Sequence, residues 1–163
     1  MLKVDAPSSE GILTVVRRAL VFILVVAMAG ILVELLLIEH FEDAWQLVPL
    51  CLLGLGLGSL GWNVLAPGAA SGRVWRTLMG LFIVAGLIGF YMHYSGNVEF
   101  ELEQNPNATM WVLFREAMMG ATPALAPGAM IQIGLIGLLY AFVAARARQR
   151  IQNEGSPFRD EVR

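Results

Sequence analysis

Four long apolar runs, at residues 19–38, 47–65, 74–94 and 128–145, alternate with polar or turn-rich connectors. The first run is 20 residues long and contains one charge, Glu34. A helix rising ~1.5 Å per residue crosses a ~30 Å hydrocarbon core over that length. The pattern predicts an all-α integral membrane four-helix bundle, folded as one domain over residues 1–163. Residues 95–126 form its one long loop, and residues 146–163 form a polar tail.

The same pattern marks expected packing faces. In the second run, GLGLGSLG places Gly54 and Gly58 four apart, with Gly61 a turn further on. Ala85 and Gly89 repeat the spacing in the third run, and Gly137 and Ala141 in the fourth. Small residues at this interval let helix backbones approach closely, so these seven positions are expected to pack helix against helix. Gly56 to Gly61 also spells GxGxxG, but no strand precedes it and no acidic residue follows at the usual distance, so dinucleotide binding is set aside. Pro49 is expected in the first turn of its helix, where a missing N–H is harmless.

Two segments of the long loop show patterns of their own. Residues 98–103, VEFELE, alternate apolar and acidic, which predicts a short half-buried strand or extended edge. Asn107 has the character of a helix cap, and Gly120 can end the mostly apolar stretch 109–119. Eleven residues cannot span a bilayer. A short amphipathic helix at the interface, or lidding the bundle, is expected there, with Trp111, Phe114 and Met118 turned inward. Asn107-Ala108-Thr109 is a glycosylation sequon, relevant only in a pathway that glycosylates.

Composition agrees with a membrane protein: 57% of residues are hydrophobic and 15% charged, where a soluble domain has ~25% charged. The formal charge of −2 gives no sign of a nucleic-acid partner. Its distribution is more informative. Four spans place both termini on one side with Lys3, Arg17, Arg18, Arg73, Arg76, Arg146, Arg148, Arg150, Arg159 and Arg163. The other side has Arg115 alone, together with Glu39, Glu42, Asp43, Glu99, Glu101, Glu103 and Glu116. Excess Lys and Arg mark the cytoplasmic side, so both termini are expected in the cytoplasm and the chain in a cell (inner or plasma) membrane. Arg17-Arg18 with Ala27-Met28-Ala29 also suits a cleaved signal peptide, but the apolar run continues to Ile38, so a retained span is expected. The single cysteine, Cys51, excludes an intrachain disulfide and four-cysteine zinc sites.

Few residues offer chemistry. Glu34 lies about one turn inside the outer boundary of the first span, where a carboxylate is costly. It reads either as a proton- or ligand-binding group or as interhelical glue, bonded to Gln132, the other polar group expected to be buried, or to Ser59. His40 and His93 close the first and third runs at one interface. With Glu39 and Glu42 they match the ligand types of a zinc, copper or iron site, or they could hold a b-type haem. Against this, no HxxxH or ExxH pair falls on one helix face.

The leading functional expectation is a non-catalytic accessory or structural subunit of a larger membrane complex, with the lipid bilayer and other membrane subunits as partners. A metal- or haem-binding protein using His40 and His93 is the second reading. An oligomeric proton-coupled transporter using Glu34 is the third.

Overall fold

The computed structural model describes residues 9–120 and 122–154, so Lys3, Arg159 and Arg163 lie outside the described residues. Five helices follow in order: α1 (Ser9–Leu37), α2 (Ala44–Leu65), α3 (Ala69–Gln104), α4 (Met110–Met118) and α5 (Gly128–Glu154). All but α4 are long and apolar enough to cross a membrane. The apolar runs thus become four candidate spans of a multi-pass membrane protein, and no strand occurs among the described residues.

The four long helices form a closed ring. α3 packs most extensively on α5, while α2 contacts α3 and α1 contacts both α2 and α5. α1 and α3 are therefore diagonal partners rather than neighbours. Leu24 and Met28 of α1, Leu53 and Leu60 of α2, Trp75, Met79 and Phe82 of α3, and Ile133 and Tyr140 of α5 fill the centre. At mid-height, a Cβ on Gly56 would lie 2.9 Å from Met28 Sδ and 3.0 Å from Phe82 Cζ. The absence of a side chain at Gly56 is what lets α1 and α3 reach the same point on α2.

Local chemistry sets the helix ends. α1 begins nearly three turns before its apolar run and passes through Gly11 and Arg17-Arg18 without a break. It closes in a Schellman arrangement: the His40 N–H donates to the Leu35 carbonyl at 2.9 Å, and the Glu39 N–H to Leu36 at 3.2 Å. Glu39 takes φ 55°, a left-handed conformation that favours glycine. Asp43 caps α2 by accepting from the backbone of Trp45 and Gln46, and the Gln46 side chain accepts from Glu42 and Asp43 in return. This capping box starts α2 at Ala44, so Pro49 falls in its second turn rather than its first. At the start of α3, the Ser71 hydroxyl accepts from the Gly68 N–H and donates to the Ala66 carbonyl.

The expected strand at residues 98–103 is absent, because α3 continues to Gln104. A helix already propagating extends at little cost, and VEFELE is too short for its alternation to outweigh that. At 36 residues, α3 is ~54 Å long and outreaches a bilayer core. Its last turns support α4, which packs against it.

Candidate functional site

Of the histidines and acids expected as a metal or haem site, His40 follows α1 and His93 lies on α3. Among the described residues no three His, Cys, Asp or Glu side chains are placed to hold a metal ion. α1, which leads into His40, is not adjacent to α3, which carries His93. Glu39 forms the left-handed helix terminus, and the neighbouring Asp43 forms the α2 cap.

His93 instead helps fix a loop, with its Nδ1 3.1 Å from the Pro123 carbonyl. One turn further along α3, buried Asn97 is the centre of that contact. Its Nδ2 donates to the carbonyls of Ala117 at 2.8 Å and Thr122 at 2.7 Å, and its Oδ1 accepts from the Thr122 N–H at 3.3 Å. Gly120 leaves the room for this: a Cβ there would come within 2.6 Å of the Asn97 amide. α4 is thereby held on α3 through Ala117, which is fully buried. Trp111 and Phe114 do not turn inward as expected; they are 71% and 45% exposed. They stack on each other, and Phe114 also meets Tyr94. Ala117 is small enough to approach Asn97 closely, and that contact rotates the aromatic side of α4 outward.

Glu34 and Gln132 are both exposed on the outside of the bundle, and no hydrogen bond joins them. They are therefore not partners of one another across the bundle. Ser59 is buried, but its hydroxyl has no hydrogen-bond partner.

The predicted small-residue positions divide into two groups. Gly89 lies against Pro127, Gly137 against Met79 and Trp75, and Ala85 and Ala141 pack beside the core. Gly86 and Gly134, which the four-residue spacing did not single out, complete this α3–α5 seam. A Cβ on Gly134 would come within 2.7 Å of the Met79 carbonyl. Gly54, Gly58 and Gly61 have nothing within 4 Å of a Cβ. They lie opposite the buried face of α2, which runs through Leu52, Gly56, Ser59 and Asn63.

The other end of the bundle holds a polar arrangement that hydropathy gave no reason to expect. Trp75 Nε1 donates to the Gly137 carbonyl at 2.8 Å, and Tyr140 OH donates to Asn63 Oδ1 at 3.2 Å. The Trp75 and Tyr140 rings meet edge to face, with centroids 5.7 Å apart. Arg17 and Arg148 set positive charge beside Tyr140. Beyond this group opens a cleft of about 390 Å³, with Asn63, Gly72, Arg73, Arg76 and Arg148 among its lining residues. Arg148 reaches across to the Gly68 carbonyl at 3.4 Å. The one ion pair among the described residues, Arg115 with Glu116, lies far away on α4. Asn63, Trp75 and Tyr140 were missed because each is a single polar or amphipathic residue inside an apolar run. Only the tertiary fold shows that they meet.

No family model, curated protein or solved structure matches this chain.

Proposed function

We propose that this chain is a non-catalytic accessory or structural subunit of a larger membrane complex. The observation that carries the reading is the face of α2 formed by Gly54, Gly58 and Gly61. It has the spacing of a close helix–helix contact, yet nothing from its own bundle covers it. In lipid, helices associate through close van der Waals packing, and a smooth glycine stripe is the surface on which a further helix packs best. Exposed Cys51 stands one turn from Gly54 on the same side of α2.

In this reading the arginine-rich end, with both termini, faces the cytoplasm of a cell membrane, by the asymmetry of basic residues. α4 lies at the opposite interface, its exposed Trp111, Phe114 and Met110 meeting the headgroup region.

The test is purification from native membranes in mild detergent. A complex of fixed stoichiometry with a different membrane protein is expected, and Gly58→Leu should release the partner while the released chain keeps its own melting temperature. A chain that elutes alone, or only with copies of itself, would overturn the reading. A thiol reagent confined to the outside should label a cysteine placed at Asn107; labelling only from the cytoplasm would reverse the orientation.

A further inference from the structure

The charged side chains that line the cleft at the arginine-rich end are all arginines, Arg73, Arg76 and Arg148. Asn63 is only 3% exposed. Tyr140 occupies its Oδ1, which leaves Nδ2 without a protein partner on the side towards Gly72. An amide donor left over in this way is free to meet an acceptor that enters the cleft. Arg73 and Arg76 from α3 and Arg148 from α5 line the same space, and none of them is ion-paired among the described residues. The first turn of α3, with Gly68 and Ala69 at the rim, adds the N–H groups and positive pole of a helix start. A Cβ on Gly72 would find its nearest neighbours at 3.5 Å (Arg76) and 3.9 Å (Asn63), so the floor is open.

Guanidinium forks, an amide N–H and a helix start suit the oxygens of a phosphate group. The cleft opens where α2 ends, α3 begins and α5 leaves its apolar run, the depth at which lipid headgroups lie. We propose that it binds a phosphate-bearing anion, and that the source of the phosphate is the headgroup of an anionic phospholipid, whose chains run down the outside of the bundle. Basic pockets between spanning helices are suited to this role. This inference does not depend on the subunit assignment above.

The experiment is native mass spectrometry of the full chain in nonionic detergent, titrated with phosphatidylglycerol, with phosphatidylcholine and with inorganic phosphate. Phosphatidylglycerol should bind at one copy per chain, in preference to phosphatidylcholine. Arg76→Gln with Arg148→Gln should weaken it by roughly tenfold or more. Arg18→Gln with Arg146→Gln removes equal charge from the same end outside the cleft, and should cost no more than about threefold. Gly72→Leu fills the cleft while keeping every arginine, and should also abolish the single bound lipid. A melting curve for each variant identifies any that fails to fold; the remaining cleft variant then decides the question. Equal losses from both arginine pairs, or unchanged binding in Gly72→Leu, would overturn the proposal. Displacement of the lipid by millimolar inorganic phosphate would overturn the lipid as the source.

Discussion

The α3–α5 seam and the outer face of α2 are written in the same small-residue spacing, yet one is packed and the other bare. At the seam, Gly86, Gly134 and Gly137 sit against side chains or backbone of the facing helix, and Gly89 against Pro127 just before α5. On α2, Gly54, Gly58 and Gly61 meet nothing from their own chain. The spacing identifies a surface able to accept a helix closely but carries no information about which helix. What distinguishes the two faces is the opposite side of each helix. α2 places Leu52, Leu53 and Leu60 in the core, and that choice turns its regular glycine row outward.

The largest expected effect sharpens this contrast. Gly134→Leu must displace the Met79 backbone and Ile83, and should cost about 3 kcal/mol, the upper end for overpacking. The check is a denaturation midpoint in detergent. Gly58→Leu in the isolated chain should remain within ~0.5 kcal/mol of the parent. A comparable loss at both sites would mean that the α2 face is already occupied within the fold.

Asn97→Ala comes next. It leaves two carbonyls and one N–H of the Ala117–Thr122 stretch without their partner, a cost of about 1–3 kcal/mol. The loss should be local, read as faster hydrogen exchange around α4 with α1 and α2 unchanged. Trp75→Phe tests the polar tie within the seam. Loss of the bond to Gly137 should cost about 1 kcal/mol, and uncoupled rings would also alter the near-ultraviolet spectrum of Tyr140.

The smallest effects carry the sharpest sign. Gly58→Ala adds a methyl to open space and removes backbone freedom from the unfolded chain, so it should stabilise the isolated protein by roughly 0.5 kcal/mol. Gly134→Ala should destabilise it. Glu39→Gly, outside both faces, relieves a left-handed non-glycine residue and should raise stability by about 0.5 kcal/mol.

Long-range hydropathy alone determined that four helices would form and roughly where. An apolar run of bilayer length has one physical solution, a helix that satisfies its own backbone bonds. A short helix within residues 109–119 was also legible from its length and the glycine after it, although Thr109 rather than Asn107 stands at its N-cap, without a side-chain bond. The sequence was a poor guide wherever the outcome depended on what stood across a gap. VEFELE became helix because α3 was already running. His40 follows α1 and His93 lies on α3, helices that the ring places on a diagonal rather than side by side. Trp111 and Phe114 faced outward because Asn97 drew in Ala117. The cleft is the clearest case. Its arginines were visible as a charge bias, but their convergence on Asn63 required α2, α3 and α5 to end at one height. A periodic pattern specifies a helix and its faces through local bonds and burial, while the partner of each face is chosen by the fit of all the helices together.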